Sequence, residues 1–285
     1  MVSLIMRIEE GKYASCGGSL INDRYVLTAA HCLSIVKSPE DVIVTLFAHT
    51  SEDRVKLPKV GVESLIKNPY WGTEGYGNHH DLSLIKLKER LIFTASSSPI
   101  CLPTKNTPWL LQLRDQEGKE GRRKENNNVL HHHFQNMTST RDPAGNQTIP
   151  SHSPDPHTRS VRETAFVTGW GQQNSLFAFP SFKVNAKALF ETKTSILDTD
   201  ACEDMWKDHY DEEYEICAGT GVCQGDSGGP LAVRVNGSVT QVGVVSYGPG
   251  TCNIGLFLGP TVYERISAHL DFIHAHTRDA IWCGP

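Results

Sequence analysis

Short runs of apolar and β-branched residues, separated by turn-forming residues, recur along most of this chain. In the first part of the chain such runs occupy residues 25–28, 42–47 and 82–87. Runs at 165–168 and 239–247 repeat the pattern further on. Short runs of this kind, bounded by turn clusters, are typical of β-strands. The pattern therefore predicts a mainly β chain with two groups of strands.

The C-terminal segment has a different spacing. Ile266, Leu270, Ile273 and Ile281 recur at near-helical intervals. This spacing favours an amphipathic helix, which we expect to lie on the second group of strands.

Residues 104–162 interrupt the strand pattern. They are rich in Asn, His, Ser, Arg and Pro, and include a run of three histidines at 131–133. Such a segment cannot bury enough apolar area to order itself. It fits a disordered surface insertion and, equally, translated non-coding sequence from a faulty gene model. No cysteine or carboxylate completes a recognisable metal-ligand set around the histidines, so no metal or other cofactor is expected.

Bulk properties narrow the class of protein. The 285 residues suffice for one large all-β domain or two small barrels. The net charge of −5 argues against a general nucleic-acid binder. No stretch is long and apolar enough to cross a membrane, and the apolar start of the chain is too short for a signal-peptide core. The eight cysteines favour an oxidising compartment.

Residues 223–230 read CQGDSGGP and carry the strongest chemical signal. A serine hydroxyl becomes a useful nucleophile when a base takes its proton and backbone N–H groups receive the resulting oxyanion. The glycines around Ser227 let the backbone turn tightly and direct such N–H groups to one point. Ser227 is therefore the candidate nucleophile.

A candidate base and its orienting acid lie upstream. His31 follows the strand-like run 25–28, and Asp81 lies at the edge of the run 82–87. The order His, Asp, Ser is the chymotrypsin order among the three known arrangements of this triad.

With these residues and their flanking motifs, the chain resembles the trypsin/chymotrypsin-like serine proteases. The further family motifs, in the expected order, are CGGSLI at 16–21, CLP at 101–103, VTGWG at 167–171 and PTVY at 260–263.

The resemblance implies an all-β fold of two antiparallel six-stranded β-barrels with a C-terminal α-helix. On this basis a single peptidase domain comprises a first barrel at 1–103 and the insertion at 104–162. The same domain continues with a second barrel at 163–266, and it ends with a C-terminal helix and tail at 267–285.

The resemblance also implies the mechanism. His31 would remove the proton of Ser227, and Asp81 would hold the imidazole in the right tautomer. The oxyanion hole would be formed by the backbone N–H groups of Gly225 and Ser227. Ser246, Tyr247 and Gly248 would pair with the substrate backbone as an added strand.

Three disulfides follow from the resemblance: Cys16–Cys32, Cys202–Cys217 and Cys223–Cys252. A fourth family bridge is missing as a whole, since Ala165 and Val233 occupy its two positions. Cys101 and Cys283 remain, and Cys101 pairs either with Cys283 or with a propeptide.

The expected specificity pocket carries no charge. The position six residues before the nucleophile, an aspartate in trypsin-like relatives, is Gly221 here, followed by Val222; another pocket-wall position falls on Thr261. A buried cation would find no counter-charge there. We expect small to medium aliphatic substrate residues, as in elastase-like relatives, with Phe or Tyr as second choice.

The front of the chain departs from the family pattern. Active members begin with a short Ile-Val-Gly-Gly-type terminus whose ammonium pairs with the aspartate before the nucleophile, here Asp226. This sequence instead starts at Met1 within the first strand. The expectation is a natural zymogen with a longer N-terminus, of which this sequence is a fragment.

The sequence thus predicts a secreted, monomeric serine endopeptidase acting on protein or peptide substrates. Protein inhibitors that occupy the active-site cleft are further expected partners. Binding to nucleic acid or to a membrane is not expected. Sequons at Asn136, Asn146 and Asn236 favour glycosylation. The alternatives are a catalytically silent homologue with a binding or regulatory role, and an inactive truncated fragment.

Overall fold

The computed structural model describes residues 1–73, 79–94, 97–104, 161–174, 183–219, 221–249 and 259–282. Its strands and helices belong to one compact unit made of Met1–Pro103 and Ser160–Pro285. Almost all of the predicted insertion, 104–162, lies outside the described residues. The disorder expected for it and the four domain boundaries stay predictions.

Seven antiparallel strands form the first sheet, in the order β5-β4-β1-β2-β3-β7-β6. Its strands are β1 Val2–Glu9, β2 Lys12–Leu20, β3 Tyr25–Thr28, β4 Val42–Leu46, β5 Lys59–Val60, β6 Val62–Lys67 and β7 Ser83–Leu87. All four residues of β3 are buried, as expected for a continuous apolar run within a sheet.

The two edges of this sheet are consecutive in the chain. Strands β5 and β6 are separated by Gly61 alone, yet β5 pairs with β4 and β6 pairs with β7. One extended segment therefore joins both edges, and the sheet is rolled into a nearly closed barrel. Counted as one bent strand, β5 and β6 give the predicted six.

The second barrel is closed, in the order β11-β12-β15-β14-β13-β8. Strands β9 and β10 form a separate two-stranded sheet. The strands of this half are β8 Val161–Gly169, β9 Gln172–Asn174, β10 Lys183–Asn185, β11 Phe190–Leu197, β12 Glu215–Ala218, β13 Pro230–Val235, β14 Ser238–Tyr247 and β15 Thr261–Arg265. An exposed Asn236–Gly237 turn joins β13 to β14, with φ of 49° and 84°, the positive values that a tight hairpin turn needs.

The helices within the described ranges are short. They are α1 Ala30–Ser34, α2 Asp53–Lys56, α3 Asp200–Trp206 and α4 Leu270–His276, with single 3₁₀ turns at Pro39–Asp41, Lys207–His209 and Ile266–His269. Among the residues that the structure describes, no helix has the length and apolar character to span a bilayer.

The C-terminal helix packs differently from the expectation. Ile266, Leu270 and Ile273 are buried in the same apolar cluster as the core of the first barrel. The expectation of a helix lying on the second barrel is wrong in this respect, because spacing reveals an apolar face but not its partner. Ile281 is outside α4 and 68% exposed; its backbone instead bonds to Asp23.

The fold prediction as a whole is confirmed. The described residues form two antiparallel β-barrels and a short C-terminal helix. The turn between β3 and α1 belongs to the first barrel, and the turn before β13 belongs to the second.

Candidate active site

His31 is held where β3 passes into α1. Ala29 and Ala30, which precede it, are fully buried. A disulfide between Cys16 of β2 and Cys32 of α1 ties the next residue to the sheet. The backbone of His31 is therefore fixed from both sides, while its side chain stays 35% exposed.

Asp81 lies directly before β7 and is 2% exposed. Its carboxylate accepts three hydrogen bonds. Two come from His31, from the backbone N–H at 2.8 Å and from Nδ1 at 2.7 Å. The third comes from the Ser246 hydroxyl at 2.6 Å. The carboxylate therefore fixes the ring orientation and places the Nδ1 proton of His31.

The surroundings of His31 favour its protonated form. Burial lowers the pKa of His31, whereas the hydrogen bond and the negative charge of Asp81 raise it, and the net direction is upward from 6.5. The other ring nitrogen, Nε2, lies 3.7 Å from Sγ of Cys32, a disulfide sulfur with no proton to donate. Since Nδ1 donates its proton to Asp81, Nε2 is the nitrogen that can accept a proton.

Ser227 lies at the seam between the barrels. Its carbonyl oxygen accepts a hydrogen bond from Gly17 N–H of the first barrel at 2.7 Å. The next residue, Gly228, donates its N–H to Val245 of the second barrel at 2.9 Å. A Cβ on Gly228 would lie 3.0 Å from the backbone nitrogen of Ala29, two residues before His31. The fold therefore brings the serine and histidine segments together.

The loop before Ser227 is organised by Asp226. The carboxylate of Asp226 accepts hydrogen bonds from Gly171 N–H at 2.7 Å and Cys223 N–H at 2.8 Å. Burial raises the pKa of this carboxyl, against the lowering effect of the two N–H donors. Gly225 has φ of +101°, in the region that glycine occupies at little cost. The predicted oxyanion-hole residues therefore lie on a turn whose conformation is stabilised by the Asp226 carboxylate within the same turn.

A cavity of about 180 Å³ adjoins the histidine and aspartate. It is lined by His31, Trp71, Asp81, Ser246 and Tyr247. The Tyr247 hydroxyl donates to a carboxylate oxygen of buried Glu215 at 3.0 Å. Trp71 was missed in the sequence analysis, because a tryptophan in a polar loop before a strand carries no local functional signal.

The predicted pocket residues fall in two places. Gly248 lies against Thr261, whose Oγ1 would be 3.2 Å from a Cβ on the glycine. Gly221 lies against Thr192 and Val167 of the barrel wall. Val222 is partly buried. No carboxylate occurs among the predicted pocket residues in the described part of the chain.

Among the described residues there are two disulfides, Cys16–Cys32 and Cys202–Cys217. They are the first two of the three pairings that the resemblance implied. Cys252 and Cys283 lie outside the described residues, so the pairings of Cys223 and Cys101 stay predictions.

Comparison with known proteins agrees with this architecture. A family model described as Trypsin matches residues 1–144 and 137–273. A chymotrypsin of Phaedon cochleariae is 30% identical over 268 residues, covering 92% of this chain and 72% of that protein. A venom protease of Bombus pensylvanicus is 30% identical over 263 residues, covering 90% and 83%.

A CLIP domain-containing serine protease of Anopheles gambiae is 24% identical over 280 residues, which cover 90% of this chain. The match spans 61% of the length of that relative. The family model and the two relatives at 30% identity together cover both barrels and the segments that carry His31, Asp81 and Ser227. The chain belongs to the trypsin family of serine proteases.

Proposed function

We propose that this chain is a catalytically competent serine endopeptidase that uses Ser227, His31 and Asp81. The observation that carries the proposal is the paired hydrogen bonding of Asp81 to the backbone and Nδ1 of His31. This arrangement fixes the tautomer in which Nε2 can act as a base. The seam position of Ser227 supports it, since its carbonyl accepts from Gly17 and the adjacent Gly228 donates to Val245.

In the proposed reaction, His31 Nε2 takes the proton of the Ser227 hydroxyl as Oγ attacks the scissile carbonyl carbon. The oxyanion is received by the backbone N–H groups of Gly225 and Ser227. Asp81 stabilises the imidazolium. His31 then protonates the leaving amine. In the second half of the reaction, His31 takes a proton from water as the water attacks the acyl carbon, and it returns that proton to Ser227 Oγ as the acid is released.

Substrate would lie along the seam. An extended peptide pairing with residues 246–248 would add a strand at the end of β14. The substrate side chain before the scissile bond would enter the predicted uncharged pocket at Gly221, Val222 and Thr261. We propose protein or peptide substrates in an oxidising, extracellular compartment, since the described part of the chain carries disulfides at Cys16–Cys32 and Cys202–Cys217 and such bridges persist there.

A fluorophosphonate probe tests competence directly. Because only an activated serine reacts quickly with the probe, the folded chain should be labelled at Ser227, as located by mass spectrometry of its peptides. Ser227→Ala should abolish labelling, and Ser238→Ala, at an exposed hairpin position, should leave it unchanged. A folded chain that stays unlabelled would favour the catalytically silent alternative.

Substrate preference is the finer part of the proposal. In a peptide series that differs only before the scissile bond, kcat/KM for Leu, Val or Ala should exceed that for Arg on the order of 10²-fold. The reason is that Arg would bury a cation without a counter-charge, which costs several kcal/mol.

A gain-of-function variant sharpens this test. Thr261→Asp puts a carboxylate at the pocket wall beside Gly248 and should raise cleavage after Arg relative to cleavage after Leu. Preferred cleavage after Arg by the unmodified chain would refute the uncharged pocket.

A further inference from the structure

A cluster of two histidines and a glutamate lies beneath the active site. It comprises His80, just before β7, Glu264 near the end of β15, and His269, the last residue of the 3₁₀ turn that follows. One ligand atom from each residue lies within 4.8 Å of the others. The three residues are 5%, 0% and 4% exposed. The histidines and glutamate are therefore brought together by the fold, away from solvent.

The carboxylate of Glu264 is incompletely satisfied by the protein. One oxygen, Oε1, accepts from His269 Nε2 at 2.5 Å. Among the described residues, Oε2 has no hydrogen-bond partner. A buried carboxylate oxygen without a donor is costly, and burial of such a charge ordinarily requires a paired cation or a metal.

The partners of the buried acids here are imidazoles. Asp81 pairs with His31, Glu215 with His79 and Glu264 with His269. The neighbouring Arg265 directs its guanidinium to the backbone carbonyls of Glu212 and Glu215. Within the described ranges, Glu264 has no Lys or Arg ion-pair partner.

The two imidazole rings lie next to each other. Their centroids are 5.3 Å apart, and both rings are buried. Imidazole nitrogens are common ligands of divalent transition metals.

We propose that His80, Glu264 and His269 bind one divalent transition-metal ion, with Zn²⁺ the best-suited. Two imidazole nitrogens and one carboxylate oxygen are a ligand set that Zn²⁺ accepts, with water as a fourth ligand. Binding replaces the contact between His269 and Glu264, and any proton shared by that pair leaves to solvent. The ion would give the buried Oε2 of Glu264 a partner.

Such an ion would have a structural role close to the catalytic residues. His80 directly precedes Asp81, whose carboxylate bonds to His31. His80 also has φ of +64°, a left-handed conformation that disfavours a non-glycine residue. Ligation of the His80 ring would hold this turn, and with it Asp81, in place.

The second histidine-containing group in the described residues is not a comparable candidate. It consists of Cys16, Cys32 and His31, and both sulfurs are consumed in a disulfide.

The test measures metal binding and does not depend on proteolysis. The chain, with His131, His132 and His133 replaced by alanine to remove a competing run of histidines, is stripped with a chelator and titrated with ZnCl₂ by calorimetry. We expect one bound ion per chain by elemental analysis and a melting temperature that rises with zinc concentration. Co²⁺ in place of Zn²⁺ should give the visible absorption of a four-coordinate nitrogen and oxygen site.

Variants locate the ion. Loss of a group that only supports a metal ligand lowers metal affinity by about 10- to 100-fold. His269→Gln removes a ligand and should lower the affinity for Zn²⁺ by more than this. His274→Gln, a matched change at an exposed position of α4, should bind as before. Equal affinity in both variants, or failure of the parent to bind one ion, would overturn the proposal. If His269→Gln does not fold, the Co²⁺ spectrum of the parent decides: its absence rejects the site.

Discussion

Replacing Asp81 by asparagine should lower kcat by about 10⁴-fold at neutral pH, the loss that the same change causes in a related Ser-His-Asp protease. The carboxylate accepts from both the backbone and Nδ1 of His31. An amide has one accepting and one donating end, so it cannot serve both donors. The ring would then keep its proton on Nε2, where it cannot take the proton of Ser227.

The same substitution should shift the pH dependence of kcat/KM. The pKa of His31 is raised from 6.5, since the effect of Asp81 outweighs that of burial. The base works only when neutral, so activity should be present at higher pH and lost as the pH falls through this raised pKa. Without the negative charge of Asp81, the acid limb should move to lower pH.

Steady-state kinetics on peptide substrates across this pH range provide the measurement. Asp279→Asn is the matched control, because Asp279 is a carboxylate that bonds to Tyr25 and lies outside the active site. It should retain the parental kcat and acid limb. Full activity in Asp81→Asn would rule out the proposed role of Asp81.

Gly228→Ala should lower the free energy of unfolding by about 2–5 kcal/mol and remove activity in whatever protein still folds. Gly228 has φ of +77°, which a side chain disfavours. An added Cβ would lie 2.6 Å from the Gly17 carbonyl oxygen and 3.0 Å from the Ala29 nitrogen. Both are backbone atoms, so no rotamer change relieves the contact. The backbone around Ser227 must therefore shift away from the backbone that precedes His31.

Gly237→Ala separates strain from crowding in this prediction. Gly237 has φ of +84° but no atom within 4 Å of an added Cβ, so only the conformational cost of about 1–2 kcal/mol remains. Denaturant unfolding and kcat/KM should be compared for the two variants. Equal losses in both would show that the close approach at Gly228 is unimportant.

The parts of the fold that the sequence predicted are those with local signals. Strand β3 is a short apolar run between turn residues, and Ser227 lies in a glycine-rich motif whose chemistry can be argued from neighbouring residues alone. His31 and Asp81 were found because each adjoins such a run, and their order in the chain agrees with the resemblance.

The rest depended on contacts between distant residues. The helical spacing of Ile266, Leu270 and Ile273 gave an apolar face, but not the first-barrel core against which it packs. His80 and Glu264 are far apart in the chain, and the residues next to each of them carry no metal-binding motif. Only the closure of the second barrel and its docking on the first bring them within ligand distance.

The hydrogen bond from Gly17 to the carbonyl of Ser227 has a consequence for the protein while it is being made. Neither half of the chain can orient the nucleophile by itself, since one half supplies the imidazole and the anchoring amide and the other supplies the hydroxyl. On the proposed function, a partly synthesised or half-assembled polypeptide should therefore cleave no peptide bond, and hydrolysis should begin only after both barrels have folded and joined.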